Sequence, residues 1–197
     1  MSAAKTKYPR AEALAVARLL VQCLQPCCSR LIVAGSLRRR KAEVGDVEIL
    51  YIPNVVSGPD PADLFGRPIL HNAADVALAA LQDKGILSRR LNAVGSVMWG
   101  ERNKLAVHVE SSIPVDLFAA TPQNWWNLVV CRTGGMQSNI AICLAAIESG
   151  WKWEPYGEGF SRPNPERNGW LLVMPVTSER EVFEFVGLEY REPWERA

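Results

Sequence analysis

Gly35-Ser36-Leu37-Arg38-Arg39 and, after a short basic stretch, Gly45-Asp46-Val47-Glu48-Ile49 decide what this chain folds into. Leu31-Ile32-Val33-Ala34 ahead of them is apolar enough for a short strand. Gly35 and Ser36 therefore fall where a strand hands over to the next element and backbone N–H groups are left free, a turn that suits a polyphosphate. Residues 44–52 read as a second strand, whose period of two sets Asp46 and Glu48 on one face and sends Val47 and Ile49 into the protein. Two carboxylates held together repel unless a cation neutralises them, and an all-oxygen donor set favours Mg2+ or Mn2+ over zinc. A metal at Asp46 and Glu48 is expected.

Pro114-Val115-Asp116-Leu117-Phe118 reads as a further strand with Asp116 facing away from Val115 and Leu117. Placed beside Asp46 and Glu48, Asp116 would complete a site for two ions about 3.5–4 Å apart, one at an attacking hydroxyl and one at a triphosphate. Acids and phosphate-binding groups would then serve one substrate, which points to phosphoryl transfer from a nucleoside triphosphate.

The 197 residues, 48% hydrophobic and 22% charged, suffice for one domain or two small subdomains sharing an interface. No apolar run approaches the roughly 20 residues that span a bilayer, and Met1-Ser2-Ala3-Ala4-Lys5-Thr6-Lys7 lacks an apolar signal core. A cytoplasmic location with no membrane partner is expected. Among five cysteines, Cys23, Cys27 and Cys28 cluster without a histidine nearby, which favours reduced, packing thiols over zinc. His71 and His108 lie outside ligand spacing and read as surface or loop residues. A net charge of +1 predicts weak binding to nucleic acid, although Arg38-Arg39-Arg40-Lys41 forms a basic cluster beside the site. Arg89-Arg90, and Arg102 with Lys104, read as solvated surface.

Residues 8–24 show helical spacing at Leu14, Ala17, Leu20, Val21 and Leu24, with Pro9 near the first turn and Pro26 beyond the end. Residues 53–68 read as a long loop, and residues 72–84 as a helix ending at Gly85. Strands are expected near residues 86–97, 105–110 and 113–119. The fold class is α+β: a palm of mixed sheet packed on helices over residues 1–120, then a small C-terminal α+β subdomain over residues 121–197. In the latter, Trp125-Trp126 and residues 140–147 read as helical, residues 151–167 as turn-rich and residues 171–174 as a strand. Trp125, Trp126, Trp151 and Trp153 are expected in its core rather than on a stacking surface.

Tyr8-Pro9-Arg10, the two opening motifs, Pro114-Val115-Asp116-Leu117-Phe118, and Arg132-Thr133-Gly134-Gly135 through Asn139 occur in an order that resembles the family X DNA polymerases. These are the polymerase beta-like branch of the nucleotidyltransferases, and the likeness covers nearly the whole chain. Its most specific part is the ending, Glu179-Arg180-Glu181-Val182-Phe183-Glu184-Phe185-Val186-Gly187-Leu188 and Tyr190-Arg191-Glu192-Pro193-Trp194. The resemblance implies two Mg2+ or Mn2+ ions on Asp46, Glu48 and Asp116, with Asp116 nearest a primer 3′-hydroxyl. It places Gly35, Ser36, Arg39, Gly45, Thr133, Gly134 and Asn139 around the nucleotide. Ser36 and Arg39 would grip the β- and γ-phosphates, the Thr133-Gly134-Gly135 turn would lie beside the sugar, and Asn139 would reach the base.

The chain also departs from the family. Glu48 replaces the usual second aspartate, and Cys131 and Arg132 stand where the family often has aromatic residues beside the sugar. The smaller Cys131 predicts relaxed exclusion of ribonucleotides. Ala141, Ile142, Cys143 and Leu144 supply no arginine toward a template, which predicts low fidelity. With seven residues ahead of Tyr8, the family's amino-terminal lyase and DNA-grip domain is expected to be lacking, so DNA binding should be weak and salt-sensitive, with a partner protein supplying the grip. The expected activity is template-directed, short-patch or gap-filling addition of nucleotides to a DNA primer-template. A transferase acting on an RNA or protein acceptor is the alternative with the same chemistry. A regulatory nucleotide-binding module without catalysis is the alternative of another class, and the intact acid triad argues against it.

Overall fold

The computed structural model describes residues 6–59 and 68–196. Tyr8–Pro9 (β1) leads into a helix at Arg10–Leu24 (α1). Ala13, Val16, Ala17, Leu20 and Leu24 recur at the helical period and are all buried, so α1 lies on the sheet by one apolar face. Cys28–Val33 (β2) ends in the one-turn helix Gly35–Arg38 (α2), followed by Glu43–Val44 (β3) and Val47–Pro53 (β4). Tyr8 and Pro9 are not helical, because they pair antiparallel with Val44 and Glu43.

Residues 53–68 were expected to form a loop, but their described part belongs to a ribbon of Val55–Pro59 (β5) paired with Pro68–Asn72 (β6); residues 60–67 lie outside the described residues. Turn-forming residues had masked the β-branched Val55 and Val56. Asn72 then caps Ala73–Asp83 (α3), its Oδ1 accepting from the N–H groups of Ala74 and Asp75 at 3.0 and 3.2 Å. The strand expected over residues 86–97 shortens to Leu87–Arg89 (β7) with one isolated bridge between Leu91 and Val97. Asn103–His108 (β8) and Pro114–Ala119 (β9) complete the main sheet.

The sheet order is β2-β4-β9-β8-β7, with β4 and β9 parallel and the other pairs antiparallel. On one face Val47, Ile49, Tyr51, Val115 and Leu117 pack beneath α1 and the Ala74, Leu78 and Leu81 side of α3. The opposite face is covered only toward one end, where Leu50, Ile52, Phe118 and Ala120 meet Trp125, Leu128 and Val129. Glu48 shares the parity of Leu50 and Ile52 but lies nearer the strand start, where that cover runs out.

Those three covering residues belong to Trp125–Thr133 (α4), which is followed by Met136–Glu148 (α5), Lys152–Trp153 (β10), Gly159–Pro163 (β11), Leu171–Pro175 (β12) and Glu179–Phe185 (α6). Residues 151–167 are therefore not simply turns: β10, β11 and β12 form an antiparallel sheet in that order. Val130, Ile142, Trp153, Phe160, Val182 and Phe183 make a separate core, so α4 serves both the large sheet and the C-terminal unit. Trp125 and Trp153 are buried, as expected.

All five cysteines are free thiols. His108, expected on the surface, is buried on β8 with Nδ1 2.8 Å from Ser111 Oγ. Lys104 is also not solvated: it is buried, its ammonium donating to Gly100 O at 2.8 Å and pairing with Asp75 at 2.9 Å. Among the described residues, no helix is long and apolar enough to cross a membrane.

Candidate active site

The register of the parallel pair sets Glu48 directly against Asp116, with Asp46 just ahead of β4. Ala34 N–H donates to Glu48 O at 2.9 Å, which fixes the end of β2 against the start of β4. At Gly35 the chain takes φ +59°, and a Cβ there would overlap Glu48 Oε2. Only glycine both makes this turn and lets the Glu48 carboxylate pass over it. Burial, reinforced by Asp46, pushes the Glu48 carboxyl up to about 7; Arg132 and Arg39 oppose the shift, and Asp116 adds to it.

A cleft of about 400 Å³ opens here, lined by Ser36, Arg39, Gly45, Asp46, Glu48, Cys131, Arg132, Gly134 and Asn139. It joins residues expected from the phosphate motif with residues expected from the α4–α5 turn. Gly135 of the expected turn lines it too, as do Lys7 and Met136, to which sequence reasoning had given no role. Ser36 Oγ and Arg39 Nε are buried with no hydrogen-bond partner among the described residues, while Arg39 Nη1 donates to Thr133 O at 2.8 Å. Such donors are costly to leave unpaired, and an anionic ligand would satisfy them.

Thr133 does not line this cleft: it is fully buried, and its Oγ1 lies 2.6 Å from Arg38 Nη1. Asn139 Nδ2 donates to Cys131 O at 2.9 Å and ties the first turn of α5 back to α4. The Gly134 position is open only because it has no Cβ, which would overlap Asn139 Oδ1. Burial raises the Cys131 thiol above its ordinary value, against the opposing Arg132 charge, so it is a small neutral group at the cleft. The Arg132 guanidinium stacks over Phe118 at 3.7 Å and Tyr156 at 5.4 Å, spanning the large sheet and the C-terminal unit.

Asp116, expected in the site, is not among the residues that line this cleft: Arg90 Nη2 donates to its Oδ1. Arg90 had read as solvated surface, and no local pattern signals a partner 26 positions away. Among the described residues, no group of three acids, cysteines or histidines stands close enough to form a ready-made metal site.

Of solved structures, the chain is similar to the polymerase beta of Leishmania infantum, in a structure titled a ternary P/T complex. The identity is 18% and the TM-score 0.73, over 98% of this chain and 77% of that one. Residues 128–197 match the family described as the DNA polymerase beta thumb. The chain thus shares the polymerase beta fold, with likeness to a polymerase beta thumb over residues 128–197. No curated protein matches it in sequence.

The thumb match begins inside α4, at the helix shared by the two cores. The C-terminal unit is tied to the Gly35–Arg38 helix by charge. Arg38 donates through both terminal nitrogens to Glu179 at the start of α6, and the fully buried Arg196 donates to the same carboxylate and, from Nε, to Arg191 O at 2.9 Å. Burial alone would push the Glu179 carboxyl up, but the hydrogen bonds and charges of Arg38 and Arg196 hold it below the ordinary range. Arg40, at φ +59°, stacks over Trp194 at 4.0 Å. Sequence reading had placed Arg38 and Arg40 in one basic cluster beside the site, whereas both are engaged with the C-terminal unit.

Proposed function

We propose that this chain is a nucleotidyltransferase that adds nucleotides to the 3′-hydroxyl of a DNA primer paired to a template, in short-patch or gap-filling synthesis. The observation that carries it is the pairing of Glu48 with Asp116 across a parallel register, with Asp46 and Glu48 lining the Ser36–Arg39 cleft. Mg2+ or Mn2+ suits these residues, because the donors are all carboxylate oxygens and burial, reinforced by the neighbouring acids, already lifts Glu48 to about 7. Asp46, Glu48 and Asp116 would hold the ions, which when bound neutralise the triphosphate and activate the attacking hydroxyl.

The remaining roles fall to the chain itself. Ser36 Oγ and Arg39 Nε, otherwise unpaired, would hold the triphosphate oxygens. The Cβ-free edge at Gly134 and the small Cys131 would leave room for the sugar, with Asn139 held near the base by its bond to Cys131 O. Orientation and charge compensation would thus supply most of the rate. The Leishmania structure, as a ternary P/T complex, supports a primer-template as the partner.

Primer extension with labelled deoxynucleotides and Mg2+ or Mn2+ tests this reading. Wild type should extend, and Asp116→Ala should lose activity by about 100-fold or more while keeping its circular dichroism spectrum. Undiminished extension by Asp116→Ala would refute the assignment. Labelling of an RNA or protein acceptor in place of DNA would move the same chemistry to another substrate.

A further inference from the structure

β12 is an edge of the C-terminal sheet, whose order is β10-β11-β12. The hydrogen bonds that flank its pairing with β11 show which way its backbone faces. Asn164 N–H donates to Trp170 O at 2.9 Å and Val176 N–H donates to Glu158 O at 3.2 Å, both in the register that sets Phe160 against Met174. Bonding direction alternates along an antiparallel ladder, so Leu172 and Met174 turn their N–H and C=O groups to β11 while Leu171, Val173 and Pro175 turn theirs outward. Pro175, which has no N–H, falls on the outward side, where a sheet tolerates proline. Among the described residues, no strand pairs with this outer edge.

Side chains leave the edge open. Trp170, Leu171, Leu172, Val173 and Met174 range from 38% to 64% exposed, so both faces of the strand are apolar and accessible. Residues 168–178 carry no charged side chain. Edges that stay in solvent are usually blunted by lysines, inward-pointing charges, bulges or proline, and of these devices β12 has only the terminal Pro175. A continuous apolar edge of this kind is a contact surface.

We propose that β12 pairs antiparallel with β12 of a second copy of this chain, about a two-fold axis at Val173, to make one six-stranded sheet. Val173 is the middle residue of Leu171–Pro175, and centring on it pairs the strand along its whole length. Val173 then exchanges two hydrogen bonds with Val173 of the second copy, and each Leu171 N–H donates to the opposite Pro175 C=O. Every outward N–H of the two edges is used. The edge also complements itself in charge. Exposed Arg162 and Arg167 outweigh Glu166 at the Trp170 end, where Arg167 stacks over Trp170 at 5.7 Å, and exposed Glu158 stands beside Val176 at the other end. The two-fold sets Trp170 opposite Val176 of the second copy, so the basic end of each strand meets the acidic end of the other. A single strand pair lies at the small end of protein interfaces, which sets the expected dissociation constant at about 50 μM.

Sedimentation equilibrium of the full chain from about 5 to 500 μM tests the association. Wild type should pass from monomer to dimer across that range. Val173→Lys, which sets two ammonium groups together at the axis, should stay monomeric with an unchanged circular dichroism spectrum. Amide hydrogen exchange followed by NMR locates the contact: between about 20 and 500 μM the Leu171 and Val173 N–H groups should slow about threefold, while those of Leu172 and Met174, bonded to β11, should not change. Val173→Pro, which deletes one outward N–H and spares the β11 ladder, gives the same reading if the Lys variant folds poorly. A wild-type chain that stays monomeric at about 500 μM would overturn the proposal and leave β12 to a strand of a different protein. A dimer whose Leu171 and Val173 amides exchange at one rate throughout, or a folded variant that dimerises as wild type does, would overturn it too.

Discussion

At Glu48 burial and like charge act together. Its carboxyl is buried beside Asp46 and Asp116, and its pKa rises from 4.5 to about 7. The folded state therefore holds this proton more tightly than the unfolded chain does, so its stabilising contribution is complete below pH 4.5 and is lost as pH rises through about 7. Comparing chemical unfolding of wild type and Glu48→Gln in chelator should show the two diverging across that window, with the variant more stable at pH 8 by up to about 3 kcal/mol. Equal pH profiles would remove the claim. Cys131 raises a question of selectivity rather than stability. As a small neutral side chain at the cleft, it should give deoxynucleotide and ribonucleotide incorporation within about tenfold of each other, and strong rejection of ribonucleotides would show that another residue closes the sugar pocket. Both residues could be named from sequence, but their environments could not, because Glu48 meets Asp116 and Arg132, and Cys131 meets Glu48, only through the fold.

At the scale of elements, the α4–α5 turn joins the thumb to the site. Thr133 ends α4, Gly134 and Gly135 form the turn, and α5 starts at Met136, with Asn139 bonded back to Cys131. Gly134→Ala should dislodge Asn139, raising the KM for nucleotide about tenfold and costing about 1–2 kcal/mol of stability. Steady-state kinetics together with thermal unfolding would check it, and an unchanged KM would separate Asn139 from nucleotide binding. The helices were legible because long apolar stripes mark them, as at Ala13, Val16, Ala17 and Leu20. β5, β6, β10 and β11 were not, since they are short and rich in turn-forming residues, and pairing with a neighbour rather than local propensity makes them strands.

Across the whole molecule, Arg38, Glu179 and Arg196 join α2 to the C-terminal unit. Removing the shared carboxylate leaves Arg196, at 0% exposure, as an uncompensated buried charge. Glu179→Ala should cost about 3–5 kcal/mol in chemical denaturation, more than a surface pair could account for. The lowered pKa of Glu179 works in the opposite sense to that of Glu48: its contribution is present above the ordinary carboxylate range and is lost as pH falls through its lower folded value. A Glu179→Ala variant as stable as wild type would make the thumb's attachment a matter of apolar packing alone.

The sequence by itself determined where the candidate residues stand, since the placements of Gly35, Ser36, Asp46, Glu48 and Asp116 follow from local period and turn chemistry, each within its own strand or turn. Tertiary structure alone decided which charges those residues meet. Arg90 reaches Asp116 across two strands, Arg38 and Arg196 converge on Glu179, and Arg132 lies between Phe118 and Tyr156. Periodicity reports the face on which a side chain stands, whereas electrostatic partnership depends on strand order and on the packing of α4, which no local stretch encodes.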